Sequence, residues 1–430
     1  MRILYCFLFF VIISFSAQSQ PKTDALLLNI VSTNKDTLFQ KVLSNHNYYR
    51  LQIIYTQINR DKKNKPSFKN YYYNVDSLFY FNPASTVKLP LAALSLEKLN
   101  QLNINDVNKY TSLQFDSAYS NQVKELYDST AENNLPSIAQ FIRKAFLISD
   151  NDAYNRMYQF VGQQAINRNL KDKGYKSIRI TREFMGFTEN ENRHTNPINF
   201  LDKNGKIIYT QPVLYNTDSF DFSHTIKMGK AHYNNKDSLI NEPIDFTRVN
   251  NLPLEDLQQI LQSILFPSSV PAKQRFDLTK DDYAFLKLYL SQFPSETNYP
   301  KYDTSQYYDS YVKFFFQNST HVIPSNIRVF NKVGWAYGFL TDASYVVDFK
   351  NNVEFMLTAT MYVNSDEILN DDKYDYETIG HPFLYQLGQS IYNYELHRKK
   401  SYAPDLSDFK IKYEQRNPND TRPSIKDADN

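Results

Sequence analysis

The chain has 430 residues, of which 42% are hydrophobic, so it can bury a sizeable core and wholesale disorder is excluded. Its 48 basic and 46 acidic residues leave a net charge of only +2. Because no strong positive electrostatic field results, the charge gives no support to nucleic acid as a partner. Glycine is scarce, at 9 residues, which disfavours glycine-rich phosphate loops, whereas 34 Tyr and 31 Phe suit a sheet packed with aromatic side chains.

The first residues have the pattern of a secretory signal. Arg2 supplies a positive charge at the start, and Ile3 to Phe15 is a nearly unbroken apolar run. Ala17-Gln18-Ser19 has small residues at the two positions that a signal peptidase recognises. The run is shorter than the roughly 20 residues that span a bilayer. We therefore predict a signal peptide over 1–19, with cleavage near Ser19 and export to the periplasm or medium as a soluble chain. Cys6 is the only cysteine, so the mature chain would form no disulfide.

The spacing of apolar residues predicts the first elements of the mature chain. Residues 23–44 have the spacing of one amphipathic helix. Residues 49–59 and 68–81 are rich in Tyr, Ile and Phe, and the polar turn between them predicts a β-hairpin. Helical spacing recurs in five later segments: 85–100, 136–161, 254–266, 280–293 and 376–397.

Strand patterns return towards the C-terminus. Three segments predict strands: 327–333, 344–349 and 353–363. The turn at 350–352 favours antiparallel pairing of the last two. Between the helices, residues 198–245 are polar and rich in Tyr and Asn, with a hairpin pattern over 206–214.

Both ends of the chain contribute strands, and a helical block lies between them. We therefore predict an α+β fold, in which residues 20–90 and 320–400 build one antiparallel sheet and residues 91–319 form a helical part with an insertion. No internal repeat is visible in the sequence. Residues 401–430 are polar, and we expect them to form a mobile tail.

Three short motifs follow one another along the chain: Phe81-Asn82-Pro83-Ala84-Ser85-Thr86-Val87-Lys88, Ile148-Ser149-Asp150-Asn151-Asp152 and Asn331-Lys332-Val333-Gly334-Trp335. A serine hydroxyl is a weak nucleophile until a nearby base takes its proton. Residues three apart lie on the same face of a helix, so Lys88 can sit beside the Ser85 oxygen and act as that base. The N–H of Ser85 at a helix start and an N–H at a strand end, such as Trp335, would form an oxyanion hole, worth about 3–4 kcal/mol per donor.

Each motif alone is weak, because Ser-x-x-Lys arises by chance and the other two also fit an ordinary helix cap and strand end. Together and in this order they resemble the serine β-lactamase and penicillin-binding protein superfamily, and its class A β-lactamase branch most closely. The resemblance covers roughly residues 25–398. It implies an antiparallel β-sheet flanked by helices, a three-layer α/β/α arrangement, with an inserted all-α half.

The resemblance also implies roles for acylation. Ser85 would be the acylated nucleophile, and Lys88 the base or part of the proton relay that activates it. Ser149 would pass a proton to the departing amide nitrogen, and Asp150 would brace the loop.

Other residues of the motifs would bind the substrate. Asn151 would hydrogen-bond the side-chain amide of the substrate and help to fix Lys88, and Lys332 would attract its carboxylate. Gly334 would let the substrate lie against the strand, and Trp335 would add its main-chain N–H.

The chain departs from the family pattern in three places. Val333 stands where the family has Thr or Ser, which removes one hydroxyl contact to a substrate carboxylate. The 183 residues from Ser149 to Lys332 leave an excess that we place in the segment 198–245. Glu183 is the best candidate for the family's deacylating glutamate. It lies, however, one residue away from the position that the family pattern gives to that glutamate. The weaker candidates are Glu189 and Glu191.

The sequence thus predicts an exported serine hydrolase that opens a β-lactam through an acyl-enzyme on Ser85. Two alternatives stay open: a D-alanyl-D-alanine carboxypeptidase or transpeptidase-like enzyme acting on cell-wall peptides, and a non-catalytic protein of the same fold that binds cell-wall fragments. An intact Ser85 and Lys88 pair argues against the last, since a pure binder needs neither. We expect a monomer without a cofactor. We also expect no metal site, because the seven histidines show no spacing typical of metal ligands.

Overall fold

The computed structural model of the protein describes residues 21–427, and the predicted signal peptide over 1–19 therefore lies outside the described residues. Within the described range, none of the helices combines the length and the apolar composition needed to span a bilayer.

Five strands form the central sheet. They are β1 (Gln52–Arg60), β2 (Pro66–Tyr73), β10 (Ile327–Ala336), β11 (Phe339–Asp348) and β12 (Val353–Tyr362). Their order across the sheet is β10-β11-β12-β1-β2, and every neighbouring pair is antiparallel. The two ends of the chain therefore meet where β1 pairs with β12, as the strand patterns predicted.

Short strands form the remaining sheets. They are β3 (Leu113–Phe115), β4 (Ile198–Leu201), β5 (Ile207–Gln211), β6 (Lys227–Met228), β7 (Ala231–Tyr233), β8 (Leu239–Ile240), β9 (Ile244–Asp245) and β13 (Ile368–Leu369). The hairpin predicted over 206–214 is formed by β4 and β5, but its turn lies earlier, at 202–206.

Helices cover both faces of the central sheet. The α-helices of residues 21–427 are α1 (Ala25–Ser32), α2 (Thr37–Ser44), α3 (Lys88–Leu102), α4 (Ile138–Leu147), α5 (Asn151–Val161), α6 (Gln163–Asp172), α7 (Leu254–Leu265), α8 (Lys280–Ser291) and α9 (His381–His397). Helices α1, α2 and α9 pack together on one face, and α7 and α8 contact the strands from the other. Alternate residues of each strand feed the two cores, which is the period-two pattern of a sheet buried on both sides. This three-layer α+β arrangement confirms the predicted fold class.

Two predicted elements differ from the structure. The single helix predicted over 23–44 is broken into α1 and α2, because Asp36 caps the second helix by accepting the main-chain N–H of Phe39 at 2.8 Å. The strand predicted over 68–81 ends at Tyr73, where Asn74 takes a left-handed φ of 52° and turns the chain.

The C-terminal segment expected to be a mobile tail instead packs along the molecule. Phe409 is buried against Phe266 and Tyr345, at ring-centroid distances of 5.3 and 4.7 Å. Further on, Ile425 pairs with Tyr302 in a β-bridge. A few apolar side chains in a polar segment are enough to fix it to the body, which overall polarity alone does not indicate.

Candidate active site

Ser85 lies in a tight turn that leads directly into α3. Residues Ala84–Val87 form a 3₁₀ turn, and Lys88 is the first residue of the α-helix. Ala84 has a left-handed φ of 42°, and its N–H donates to the side chain of Asn82 at 2.8 Å. The Thr86 hydroxyl donates to the Pro83 carbonyl at 2.6 Å. These bonds fix the turn and leave Ser85 only 8% exposed.

The Lys88 side chain joins the first motif to the second. Its side chain is fully buried, and Nζ donates to Ser85 Oγ at 2.7 Å and to Asn151 Oδ1 at 2.8 Å. It also donates to the main-chain carbonyl of Ser149. The predicted nucleophile and its predicted base are thus in direct contact.

A strained turn presents Ser149 to the same amine. Ser149 has a left-handed φ of 70°, a conformation that non-glycine residues adopt rarely and at a cost of about 1 kcal/mol or more. The next residue, Asp150, is buried and accepts the main-chain N–H of Ala153 at 2.7 Å as the N-cap of α5. Asp150 therefore holds the loop in shape, in the bracing role expected of it.

Two lysines converge on the Ser149 hydroxyl. Lys332 Nζ donates to Ser149 Oγ at 2.8 Å and to the Val333 carbonyl at 2.8 Å, and Lys88 Nζ lies 3.4 Å from the same Oγ. Burial, and then the charge of Lys88, hold the pKa of Lys332 well below its usual value. The structure thus brings together Ser85, Lys88, Ser149, Asn151 and Lys332, which lie far apart in sequence.

Strand β10 approaches the nucleophile through Gly334. A Cβ on Gly334 would lie 2.5 Å from the Pro83 carbonyl oxygen and 3.0 Å from the Ser85 nitrogen. The missing side chain therefore lets the strand pack against the Ser85 turn, whereas the sequence led us to expect room for substrate. Its neighbour Val333 is fully buried in the core shared with α9, on the other face of the sheet. The Trp335 ring packs edge-on against Tyr311 at 6.0 Å, so only its main chain can serve the oxyanion hole.

Glu183 does not join this cluster. Its side chain is fully buried, and Oε2 accepts a hydrogen bond from Gln159 Nε2 at 2.9 Å. The other oxygen, Oε1, has no hydrogen-bond partner among residues 21–427. Burial raises the pKa of Glu183 to about 8. The next residue, Phe184, is the one that faces the amine: its ring centroid lies 5.3 Å from Lys88 Nζ.

The two weaker glutamate candidates are engaged elsewhere. Glu189 is exposed and paired with Arg248. The carboxylate of Glu191 accepts hydrogen bonds from Ser120, Asn121 and Thr188, which lower its pKa to about 2. Both carboxylates hold loops together.

Sequence reasoning missed the residues that shape the site from behind. Phe184 carries no motif, and nothing in the sequence marks its direction. On the far face of β10, buried Lys313 donates to Asn331 Oδ1 at 2.6 Å, and Asn331 Nδ2 donates to Asp342 Oδ1 at 2.8 Å. Asn331 directly precedes Lys332 in a strand. A polar residue at a strand position that should be buried was the one sign in the sequence of this hydrogen-bond network.

A surface cavity lies away from this cluster. Its volume is about 850 Å³, and it is lined by α6 and the segment 217–226, including Arg168, Lys171 and Arg179. None of the motif residues lines it. No group of three or more His, Cys, Asp or Glu side chains in residues 21–427 is placed to hold a metal ion.

Comparison with known proteins agrees with the motifs. Residues 37–212 match the family model of the β-lactamase enzyme family, a range that includes the Ser85 and Ser149 motifs. No curated protein sequence matches the chain.

Solved structures with a similar fold include β-lactamases. One from Burkholderia vietnamiensis is 10% identical with a TM-score of 0.47, and the alignment covers 85% of this chain and 99% of the other. A class A β-lactamase from Clostridium kluyveri DSM 555 is 15% identical with a TM-score of 0.45, covering 83% and 100%. One from Sphaerobacter thermophilus DSM 20745 is 13% identical with a TM-score of 0.43, covering 83% and 95%. Likeness at this level supports no conclusion about activity.

The family match confirms the resemblance to the serine β-lactamase and penicillin-binding protein superfamily that the three motifs predicted. The matched part of the chain is therefore similar to serine β-lactamases.

Proposed function

We propose that the protein hydrolyses a β-lactam or a related amide through an acyl-enzyme on Ser85. The contact that carries this proposal is the 2.7 Å hydrogen bond between Lys88 Nζ and Ser85 Oγ, inside a site that also holds Ser149 and Lys332. A buried amine in contact with a hydroxyl is placed to take its proton as the nucleophile attacks. The predicted signal peptide supports export of this activity to the periplasm or medium.

The acylation step uses three side chains. Ser85 Oγ attacks the amide carbonyl carbon while its proton passes to the Lys88 amine. The C–N bond then breaks, the Ser149 hydroxyl gives its proton to the departing nitrogen, and the Lys88 ammonium restores that proton to Ser149. The Lys88–Ser149 contact of 3.4 Å supports this transfer.

A substrate carboxylate has a natural partner in Lys332. Its side chain is buried, and burial disfavours its charged form. An arriving carboxylate stabilises that charged form, so Lys332 favours substrates that carry a carboxylate near the scissile bond. Asn151 is exposed at the rim of the site and is available to a substrate amide.

Intact-protein mass spectrometry after mixing with a penicillin tests the proposal. We expect the mass to rise by that of the intact penicillin, because ring opening leaves both parts of the molecule on Ser85. Absence of both an adduct and any β-lactam consumption, over a range of penicillins and cephalosporins, would contradict the proposal.

A peptidase acting on D-alanyl-D-alanine termini is the second candidate, and the placement of Glu183 favours it. Such an enzyme shares Ser85, Lys88, Ser149, Asn151 and Lys332 but needs no deacylating carboxylate. Release of D-alanine from a peptide with this terminus, faster than turnover of any β-lactam, would establish the peptidase in place of the lactamase.

A further inference from the structure

The loop that follows α6 presents Phe184 to the catalytic amine. The Phe184 ring centroid lies 5.3 Å from Lys88 Nζ, and Lys88 Nζ lies 2.7 Å from Ser85 Oγ. On its other side the ring stacks on Tyr154, with centroids 4.3 Å apart and an interplanar angle of 24°. The ring is therefore held beside the amine that would activate Ser85.

Three asparagine side chains fix the register of this loop. Four consecutive main-chain N–H groups, those of residues 181–184, donate to them. Thr181 and Arg182 donate to Asn250 Oδ1, at 2.8 and 3.1 Å. Glu183 donates to Asn192 Oδ1 at 2.7 Å, and Phe184 to Asn155 Oδ1 at 2.8 Å.

With the main chain held at these four points, the Phe184 side chain faces Lys88 and the Glu183 side chain faces Gln159.

The Glu183 carboxyl group is buried. It is 0% exposed, and among residues 21–427 its side chain accepts a hydrogen bond from Gln159 of α5. Burial raises its pKa to about 8, so at neutral pH most of it is protonated. A protonated carboxyl group cannot accept a proton from water.

We propose that Phe184 faces the acylated Ser85 in place of a proton acceptor, so that release of the acyl group is the slow step and the acyl-enzyme persists. This inference rests on the proposed function, because it concerns the second half of the same reaction. In hydrolysis, a water oxygen bonds to the acyl carbon, the ester bond to Ser85 Oγ breaks, one water proton goes to a base, and Oγ regains a proton. The Phe184 ring accepts no proton and excludes water from its side of the site, so it shields the acyl group; it is a positioning residue and takes no part in bond making.

The test separates acylation from deacylation by following a penicillin adduct in intact-protein mass spectra, in wild type and two variants. Phe184→Glu supplies a carboxylate at this position, and Phe184→Gln supplies a side chain of the same size without a base. We expect Phe184→Glu to raise the deacylation rate constant about 10²-fold, the lower range for a placed general base, with the acylation rate changed much less. Phe184→Gln should raise deacylation less than about tenfold, because it admits water without accepting its proton.

Glu183→Gln is the complementary variant, and it needs no change at Phe184. We expect its deacylation rate constant to equal that of wild type, because Glu183 has no part in release. Slowing by about tenfold or more would identify Glu183 as the base and overturn the inference.

Fast release of the acyl group by wild type, with no adduct accumulating although β-lactam is consumed, would also overturn the inference and leave the proposed function intact. Equal release rates for Phe184→Glu and Phe184→Gln, in variants that acylate normally, would overturn it too. If wild type forms no adduct and consumes no β-lactam, the proposed function itself fails.

Discussion

At the scale of single residues, the proposed chemistry would depend on two lysines that share one hydroxyl. Lys88 and Lys332 both reach Ser149 Oγ, and both are buried. The lowered pKa of Lys332 reflects first the loss of solvent and then the neighbouring charge of Lys88. An anionic substrate would be drawn to this pair, whereas a neutral one would gain much less.

Lys332→Ala should therefore discriminate between substrates. We expect kcat/KM for a carboxylated β-lactam to fall about 10²-fold or more, since a buried charge-assisted contact is lost. An uncharged ester should lose less than about tenfold, because it never made that contact. Steady-state kinetics on the two substrates check this. An equal loss on both would show instead that Lys332 acts generally, on the electrostatics or the packing of the site.

At the scale of elements, the close approach of β10 to the Ser85 turn sets the geometry of the nucleophile. Lys332 and Gly334 face the turn from one side of the strand, while Asn331 ties the other side to Lys313 and Asp342. Both faces of the strand are therefore fixed, and it has little freedom to move away from an added side chain.

Gly334→Ala should disturb the turn directly. The new Cβ would start 2.5 Å from the Pro83 carbonyl, and backbone on both sides must shift. We expect a loss of about 1–3 kcal/mol in the free energy of unfolding and slower acylation. Gly186→Ala is the matched control, since a Cβ there meets nothing within 4 Å. Urea unfolding and acylation rates check both variants. If Gly334→Ala changes neither the free energy of unfolding nor the acylation rate, the structure accommodates the added Cβ and the close approach does not set the geometry.

The C-terminal segment belongs to the folded body, which Phe409 allows us to test. Its ring is 3% exposed and lies among Phe266, Phe330 and Tyr345. Phe409→Ala should lower the free energy of unfolding by about 3–5 kcal/mol through the cavity it leaves. Tyr402→Ala, at a ring that is 47% exposed, should change it by less than about 0.5 kcal/mol. Equal, small effects in urea unfolding would show that the segment is detached in solution.

The sequence predicted the elements whose signal is local. Alternating or helical spacing located the central strands and most helices, and three motifs located the side chains that the structure brings together at the candidate site. It failed where one polar side chain decides the chain path, as with the Asp36 cap between α1 and α2. It also could not distinguish Glu183 from Phe184 as the residue that faces Lys88. Side-chain direction in an irregular loop has no period, and here it is set by asparagines from distant segments.

At the scale of the whole molecule, buried acids make stability depend on pH. Burial raises the pKa of Glu183 and of Glu125 to about 8, and that of Asp342 to about 7. A raised pKa in the folded state means that the unfolded chain loses its proton first as pH rises. The contribution of such a group to the free energy of unfolding is fully present below the pKa that the group has in the unfolded chain, near 4.5 for Glu183. That contribution is lost as pH rises to about 8.

Glu183→Gln should remove part of this dependence. In wild type we expect the free energy of unfolding to fall between pH 5 and pH 8, with one such group contributing up to about 1.4 kcal/mol per pH unit. The variant, whose amide does not titrate, should show a shallower slope over the same range. Urea unfolding at a series of pH values checks this. An identical slope in the two proteins would place the titration in other groups.

The central claim is that Ser85 is the residue that becomes acylated, and labelling of wild type against Ser85→Ala tests it most directly. Both proteins would be mixed with a penicillin, examined by intact-protein mass spectrometry and mapped by proteolysis, with thermal unfolding to show that the variant is folded. Ser77→Ala, at an exposed serine outside the motif, is the control and should label like wild type. We predict one adduct in wild type, on the peptide that contains Ser85, and none in Ser85→Ala. Full labelling of a folded Ser85→Ala protein would contradict the account.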